Sequence, residues 1–261
     1  MTDHDTPWTL HRDEFDLDRV RRLKATTTVA VIISAQNEAA TIGAVIDDVL
    51  RYSELVDELI VVNDHSKDDT ATVASLHGAR VVALQGPSGK GEAMGAGFTA
   101  SQAKIVVFLD ADVLNSSMEF VPRLIQPLLE CPHVQLVKGF YERPLLDMPT
   151  GGGRVNELAA RPILSLLFPG LGEIRQPLGG ETAVRREALE SIVLASGYQV
   201  EIALLIDVAR AFGAHAVAQV DLGVRRHRNR PLEELRPMAV DVLRAALERY
   251  AVTMPRPGSI P

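Results

Sequence analysis

The stretch that decides the fold is Ile105-Val-Val-Phe-Leu-Asp110-Ala-Asp112, in which five apolar residues end in two carboxylates one residue apart. An unbroken apolar run, rich in β-branched and aromatic side chains, predicts a strand buried on both faces of a parallel sheet. Carboxylates at the C-terminal end of such a strand lie where open α/β sheets bind ligands. Side chains at i and i+2 point to the same side, so both acids can reach one divalent cation. Two solvated loop acids, or a helix cap before Asn115-Ser-Ser117, are the alternative interpretation.

Composition limits the class of protein. The chain has 261 residues, 46% of them hydrophobic, and a formal net charge of −7, which disfavours a general nucleic-acid binder. The single cysteine, Cys131, excludes an internal disulfide framework and a cysteine-cluster zinc site, as is typical of a reducing compartment. Residues 1–24 lack the features of a signal peptide, and no segment approaches the ~20 apolar residues that span a bilayer. We therefore expect a cytoplasmic protein with neither a nucleic-acid nor a membrane partner.

Strand-like apolar runs alternate with helical patterns along the chain. This alternation predicts right-handed crossovers and a mostly parallel central sheet flanked by helices, which is the α/β class. The predicted strands lie at residues 29–33, 59–62, 80–84, 105–109 and 134–138, and a further apolar stretch lies at 216–224. The predicted helices lie at about residues 38–52, 68–77, 92–102, 118–130, 155–167, 199–212 and 232–250.

Polar side chains follow the first strands of the predicted sheet. The first strand runs into Ser34-Ala-Gln-Asn-Glu38 and the second into Asn63-Asp-His-Ser66. A lone acid after a strand is usually a helix cap or a turn former, but here three strand ends, with Asp110-Ala-Asp112, share the pattern. Carboxylates and hydroxyls at this edge can bind the base and the ribose of a nucleotide. The sequence therefore predicts a nucleotide site at this edge.

The loop Gly86-Pro-Ser-Gly-Lys-Gly-Glu92 resembles a phosphate-binding loop but does not match one. A Walker A loop needs Ser or Thr directly after Gly-Lys, where this chain has Gly91, and an earlier Gly where this chain has Leu84. Lys90 at a helix N-terminus can still meet a carboxylate, a phosphate or a sugar hydroxyl. A flexible glycine turn with a solvated lysine is the alternative.

Three further groups of residues are candidates for binding anions or a sugar. The cluster Arg225-Arg-His-Arg-Asn-Arg230 can hold a pyrophosphate, and His227 can join Asp112 as a cation ligand. Gly151-Gly-Gly-Arg154 combines backbone N–H groups with a guanidinium, and Tyr198 and Glu201 lie one helical turn apart. The alternative for the arginine cluster is a solvated basic turn, and the alternative for the glycine segment is a mobile linker. Tyr198 and Glu201 could instead be ordinary surface or core residues.

With these motifs in order, the chain resembles the GT-A glycosyltransferases, and closely the actinobacterial glucosyl-3-phosphoglycerate synthases. The resemblance spans about residues 28–235. It implies a Rossmann-like GT-A fold with a polar N-terminal segment (1–24), a nucleotide-sugar-binding half (25–140) and an acceptor-binding half with a C-terminal helix (141–261). Its most specific blocks are Gly89-Lys-Gly-Glu-Ala93, Phe108-Leu-Asp-Ala-Asp112, Val137-Lys-Gly-Phe-Tyr141, Gln176-Pro-Leu-Gly-Gly-Glu181, Gly197-Tyr-Gln-Val-Glu201 and His227-Arg-Asn-Arg-Pro231.

The resemblance also implies a function and a set of site residues. Family enzymes transfer glucose from UDP-glucose to the 2-hydroxyl of 3-phosphoglycerate, with retention and with Mg²⁺ or Mn²⁺, and a homodimer is expected. The implied metal ligands are Asp112 and His227. The implied catalytic residues are Asp112, Glu201 and Arg225, of which Arg225 contacts the pyrophosphate. The implied donor contacts are Ala35, Glu38, Ser66, Lys90, Asp110, Ala111 and Tyr198; the implied acceptor contacts are Gly153, Arg154, Asn156 and Asn229.

Two departures from the family pattern leave other functions open. Ser34-Ala-Gln stands where the family usually has Pro-Ala-Leu, and Asn156 replaces a Thr, so these departures affect the pockets for the donor base and for the acceptor. A mannosyl-3-phosphoglycerate synthase that uses GDP-mannose is the first alternative. A sugar-1-phosphate nucleotidyltransferase is the second, although it should carry a glycine-rich phosphate signature after the first strand.

The sequence marks no acid as a nucleophile. We therefore expect the acceptor to attack from the face from which the leaving group departs.

Overall fold

One mostly parallel sheet of eight strands runs through the protein in the computed structural model, which describes residues 6–113, 119–142, 144–145, 148–151, 153–224 and 232–253. A separate two-stranded hairpin accompanies it. The strands are β1 Trp8–Leu10, β2 Val29–Ala35, β3 Glu58–Asn63, β4 Arg80–Ala83, β5 Ile105–Asp110, β6 Leu136–Glu142, β7 Pro144–Leu145, β8 Met148–Gly151, β9 Thr182–Arg185 and β10 Val217–Val224. In space, the sheet order is β1-β10-β6-β9-β5-β2-β3-β4.

Helices cover both faces of this sheet. Within the described part of the chain, no helix is both long enough and apolar enough to cross a membrane. A five-residue π-helical segment, Asn156–Ala160, leads directly into one of the helices. The α-helices are α1 Leu17–Lys24, α2 Ile42–Leu50, α3 Thr70–Leu76, α4 Lys90–Ala100, α5 Phe120–Glu130, α6 Arg161–Leu167, α7 Arg186–Glu190, α8 Val200–Phe212 and α9 Leu232–Thr253.

The predicted α/β class and mostly parallel sheet are confirmed, with one antiparallel strand at the centre. Strand β9 runs antiparallel to both β5 and β6, and it joins a parallel half (β5, β2, β3, β4) to a second parallel half (β6, β10, β1). Four residues are too few to show a periodic pattern, which is why the sequence did not predict β9. One sheet thus extends past residue 140, and the division of the chain at that residue stays a prediction about which ligand each half binds.

Strands β2, β3 and β5 are aligned so that their carboxyl ends meet. Ser34 on β2 pairs with Asp110 on β5, and Ala35 on β2 pairs with Asn63 on β3. The apolar parts of these strands are almost completely buried between the two helical layers, as expected for parallel strands covered on both faces. Because the three strands end in register, the polar residues that follow them lie along one edge of the sheet.

A carboxylate on α2 should make stability depend on pH. Burial raises the pKa of Asp48 to about 6, although its ion pair with Arg51 opposes the shift. The native state therefore holds a proton that the unfolded chain releases between about pH 4 and pH 6, and stability should fall as pH rises through this window. Asp48→Asn is expected to remove this fall and to raise the free energy of unfolding at pH 7 by roughly 1–3 kcal/mol, measured by urea denaturation.

The control for this variant is Asp241→Asn on α9. Asp241 also pairs with an arginine three residues away, but its side chain is 48% exposed, against 12% for Asp48. Equal pH dependence of unfolding in the wild type and in Asp48→Asn would contradict the prediction.

Candidate active site

A cavity of about 510 Å³ lies at the carboxyl edge of β2, β3 and β5. Helix α4, the start of α8 and the inner face of α9 complete its walls. Its lining consists of Ser34, Ala35, Gln36, Glu38, Asp64, Ser88, Gly89, Lys90, Ala93, Asp110, Ala111, Asp112, Gly153, Arg154, Val155, Asn156, Leu178, Gly197, Tyr198, Glu201, Leu235, Met238 and Val242.

The ends of β2 and β3 form one side of this cavity through two unusual turns. Asn37 and His65, which follow the two strands, have positive φ angles of 57° and 53°, a conformation that costs energy for residues other than glycine. Each is held there by a hydrogen bond: Asn37 Oδ1 accepts from Lys67 N at 2.8 Å, and His65 Nε2 contacts Gly86 O at 3.0 Å. The turns place Ala35, Glu38 and Asp64 in the cavity wall.

At the centre of the cavity, Lys90 bridges two acids from distant parts of the chain. Its ammonium group donates to Asp110 Oδ1 at 2.6 Å and to Glu201 Oε1. Asp110 ends β5 and Glu201 lies in the first turn of α8, where it is 8% exposed. Burial disfavours the charged form of Lys90, but the two carboxylates outweigh burial and keep its pKa above the ordinary value. Lys90 is therefore a cation that compensates two acids of the site.

Tight packing at the start of α4 explains the glycines around Lys90. Gly89 precedes the helix, and its N–H donates to Asp64 Oδ2 at 3.0 Å. A side chain at Gly91 would collide with the backbone carbonyl of Ala195, just before the turn that carries Tyr198. The glycine-rich loop thus joins α4 closely to the segment before α8 and directs Lys90 toward carboxylates.

Negative charge is concentrated where the metal site was predicted. Burial raises the pKa of Glu38, and the carboxylates of Asp112, Asp68 and Asp110 raise it further. A divalent cation would relieve this repulsion, and carboxylate oxygens are ligands that Mg²⁺ and Mn²⁺ accept. Within the described residues, no group of three His, Cys, Asp or Glu side chains forms a complete metal site. The carboxylate ligands present therefore fit a divalent cation that Asp112 holds in part, and other groups would supply its remaining ligands.

The predicted acceptor residues that the structure describes lie in the same cavity. Gly153 has a φ of 70°, which glycine adopts without strain, and it leads into the helical turn of Arg154. Asn156 is buried, and its amide holds neighbouring backbone: Nδ2 donates to Arg175 O at 3.0 Å, and Oδ1 accepts from Leu178 N at 3.4 Å. Asn156 thus supports the cavity wall in addition to lining it.

Most of the predicted site residues meet in this cavity, but not all. Ser66 is not among the residues that line it, and its hydroxyl accepts from Asn37 N at 3.0 Å. Arg225, His227 and Asn229 lie outside the described residues. Several lining residues were not predicted individually from the sequence, although Asp64 stands in one of the quoted motifs: Asp64, Gln36, Leu178 and, on the face of α9, Leu235, Met238 and Val242.

Comparisons with known proteins agree with this geometry. A model of glycosyl transferase family 2 matches residues 30–203. Glucosyl-3-phosphoglycerate synthase of Mycobacterium tuberculosis is 46% identical over an alignment of 263 residues, which covers 95% of this chain and 81% of the relative. The enzyme of the same name from Petrotoga mobilis is 38% identical and covers 95% of this chain and 82% of the relative.

Solved structures lead to the same family. A crystal structure of the Mycobacterium tuberculosis enzyme with Mn²⁺, UDP-glucose and phosphoglyceric acid matches with a TM-score of 0.86 and 45% identity, and it covers 99% of this chain and 90% of that chain. The match includes both parallel halves of the sheet, so it extends beyond the residues that the family model matches. The chain therefore belongs to glycosyl transferase family 2 and, within it, to the family of the glucosyl-3-phosphoglycerate synthases.

Proposed function

We propose that this chain transfers glucose from UDP-glucose to the 2-hydroxyl of 3-phosphoglycerate, with retention of configuration and with Mn²⁺ or Mg²⁺ bound. The observation that carries the proposal is the Lys90–Asp110–Glu201 group at the centre of a cavity that also contains Asp112 and Arg154. Crystal structures of the Mycobacterium tuberculosis relative contain UDP-glucose and phosphoglyceric acid with Mn²⁺, or UDP with Mg²⁺. The cavity of this chain has polar groups of the right kinds for both substrates.

The proposal gives each of these residues of the cavity a role. Asp110 and Glu201 accept hydrogen bonds from ribose and sugar hydroxyls, while Lys90 compensates their charge. The Arg154 guanidinium binds the acceptor phosphate, and the apolar face of α9 excludes water from the sugar. Asp112 helps to hold the cation, which when bound stabilises negative charge on the leaving diphosphate as a Lewis acid.

Retention is the part of the mechanism that rests most directly on Glu201. A retaining enzyme needs either a carboxylate nucleophile under the anomeric carbon or attack from the departing face. Glu201 is ion-paired with Lys90, so its charge is compensated, and we assign it to orienting the sugar. The acceptor hydroxyl then attacks the anomeric carbon on the face from which the leaving group departs, and the leaving phosphate oxygen takes the proton of that hydroxyl. A covalent glucosyl adduct on Glu201, detected by mass spectrometry of the intact protein, would contradict this assignment.

The decisive experiment for the function is a grid of donors against acceptors. UDP-glucose, GDP-glucose, ADP-glucose and GDP-mannose are each tested with 3-phosphoglycerate and with glycerate, in Mn²⁺ and in Mg²⁺. We expect the highest kcat/KM with UDP-glucose and 3-phosphoglycerate, and a product with α-configuration by NMR. Faster transfer from GDP-mannose would favour the mannosyl alternative, and absence of transfer to either acceptor would contradict the proposal.

We assign Asp64 to recognition of the base of the donor. Its carboxylate is almost completely buried at the end of β3. Because β3 lies two strands away from β5, the usual strand spacing puts this carboxylate about 9.5 Å from the acids at the end of β5, which flank the diphosphate in this proposal. Oδ2 accepts from Ser88 Oγ at 2.9 Å and from Gly89 N at 3.0 Å. Oδ1 has no hydrogen-bond partner among the described residues, and His65 Nε2, at 4.0 Å, is beyond hydrogen-bond distance. A carboxylate oxygen can only accept, so it selects a base with a ring N–H, such as uracil.

Asp64→Asn should therefore change the base preference. Gly89 N–H can only donate, so the Asn oxygen should occupy the Oδ2 position and the amide NH₂ should replace Oδ1. The new donor faces the N–H of uracil but matches the ring acceptor of cytosine. We expect the Kd of UDP, measured with Mn²⁺ by calorimetry, to rise roughly 10- to 100-fold, while CDP gains on UDP. Asp68→Asn, in the same loop but outside the cavity lining, is the control; unchanged UDP affinity in Asp64→Asn would contradict the role of Asp64.

A homodimer and a cytoplasmic location complete the proposal. The segment 156–167 exposes Leu158 and Leu166, each 77% accessible, and α9, which packs beside it, exposes Leu247. Exposed leucines on neighbouring helices are typical of a surface that a second subunit covers. Leu158→Glu combined with Leu166→Glu is expected to give monomers in light scattering where the wild type gives dimers.

The single cysteine of the chain supports the cytoplasmic location, because it suits a reducing compartment.

A further inference from the structure

Lys138 is the largest of the described side chains that the protein buries almost completely, and the proposed function has no use for it so far. It lies in the middle of β6, between β9 and β10, with 1% of its surface exposed. Burial lowers its pKa to about 8; the carboxylates of Glu201, Glu181 and Asp110 favour its charge and Lys90 opposes it. A buried ammonium group is costly, and an apolar side chain of the same length would pack there at lower cost. A specific interaction is therefore needed to explain a lysine at this position.

The hydrogen bonds of Lys138 go to one turn, residues 176–182, which we call the glycine turn. Nζ donates to Gly179 O at 2.5 Å and to Thr182 Oγ1 at 2.9 Å. Gln176 at the start of the turn is fixed separately, because its side chain donates to Tyr141 O at 2.6 Å. Lys138 thus holds the middle and the end of the glycine turn from inside the sheet.

The glycine turn contacts the donor side of the cavity. Gly180 packs against the carboxylate of Asp110 so closely that a Cβ atom at this position would overlap with it. Leu178, two residues earlier, lines the cavity itself. The Asp110 carboxylate is therefore held by Lys90 and is in close contact with the backbone of Gly180. A small movement of the turn would change the position of the Asp110 carboxylate.

We propose that Lys138 is a positioning residue for the donor: it fixes the glycine turn, and through Gly180 it sets the place of the Asp110 carboxylate in the cavity. The inference rests on the proposed function, in which Asp110 contacts the donor. Lys138 itself touches neither substrate. Its loss should therefore weaken donor binding with little effect on the acceptor.

The test compares Lys138→Met with a matched control on the same sheet. Arg185 is also a cation that donates to backbone carbonyls, Val134 O at 2.8 Å and Leu128 O at 2.6 Å, but it lies at the end of β9 away from the cavity. We expect Lys138→Met to raise the Kd of UDP with Mn²⁺, measured by calorimetry, by roughly tenfold or more, while the Michaelis constant for the phosphoglycerate acceptor stays within about twofold. Arg185→Met should lower the melting temperature and leave the Kd of UDP unchanged.

Two further variants keep the inference testable if Lys138→Met does not fold. Thr182→Val removes one acceptor of Lys138 without changing the shape of the side chain, and Gly180→Ala displaces Asp110 directly. Both should raise the Kd of UDP, and the effect of Gly180→Ala combined with Lys138→Met should be smaller than the sum of the two. Wild-type affinity for UDP in Lys138→Met, or in both other variants, would overturn this inference alone. A wild-type protein that fails to bind UDP with Mn²⁺ would overturn the proposed function together with it.

Discussion

Asp112→Asn is expected to reduce glucosyl transfer at least roughly 10³-fold, the largest effect of any single change at this site. The substitution keeps the shape of the side chain but removes the charge that attracts the cation, whose stabilisation of the leaving diphosphate is worth several kcal/mol. Glu38 shows how concentrated the negative charge is here, since burial raises its pKa and the carboxylate of Asp112 raises it further. The measurement is kcat with saturating UDP-glucose over a series of Mn²⁺ concentrations. Turnover within tenfold of the wild type at saturating Mn²⁺ would contradict the role of Asp112.

Asp110→Asn is the matched control for this prediction, because the two acids are two residues apart and line the same cavity. Asp110 contacts Lys90 at 2.6 Å, and we assign it to the ribose and the sugar of the donor. Its substitution should raise the Michaelis constant for UDP-glucose and leave the Mn²⁺ dependence of turnover largely unchanged. An identical response of both variants to Mn²⁺ would indicate that the two acids share one role.

The second large effect is expected from Lys90→Met. Removal of this cation leaves Asp110 and Glu201 facing each other in a partly buried site. Breaking a buried ion pair by removing one partner destabilises a protein by about 3–5 kcal/mol. The same change removes the group that keeps both carboxylates in place for the donor. We expect a loss of unfolding free energy of this size in urea denaturation and a Kd of UDP-glucose at least roughly tenfold higher by calorimetry.

Arg249→Met separates the two consequences of losing a buried cation. Arg249 pairs with Asp207 through two hydrogen bonds of 2.9 and 2.7 Å, and the exposure of this pair, 17% and 20%, is close to that of Lys90 and Asp110. The pair lies between α8 and α9, outside the cavity lining. Arg249→Met should therefore destabilise the protein without weakening donor binding. Lys90→Met with wild-type donor affinity would show that Lys90 is only structural.

The strands that form the donor edge were predictable because their patterns are strong. The apolar runs of β2, β3 and β5 are long enough to mark buried parallel strands, and polar residues follow each of them. Strand β9 and the N-terminal strand β1 were missed, because their three or four residues acquire strand geometry only by pairing with neighbours. The π-helical segment at Asn156 was missed for a similar reason, since its distortion depends on what packs around it.

The candidate site shows the same limit at the level of single residues. The motif Asn63-Asp-His-Ser66 pointed to a strand end that borders the cavity, and Ser66 was selected within it by resemblance alone. In the structure Asp64, just before the left-handed residue His65, lines the cavity, whereas Ser66, just after it, is not among the lining residues and accepts a hydrogen bond from Asn37 N. Which of two residues only two positions apart lines the cavity is set by backbone geometry, which the order of residues does not display.

The sequence by itself determined the α/β class, the family, the edge of the sheet that borders the cavity, and the acids Asp110 and Asp112 in its lining. These follow from local hydrophobic patterns and from blocks of residues in a fixed order. Only the tertiary structure decided the contacts between residues far apart in the chain. Lys90 joins Glu201 across 111 positions, and Lys138 supports a turn more than 40 residues away. Such contacts depend on how the elements pack, and packing distances are not contained in local patterns.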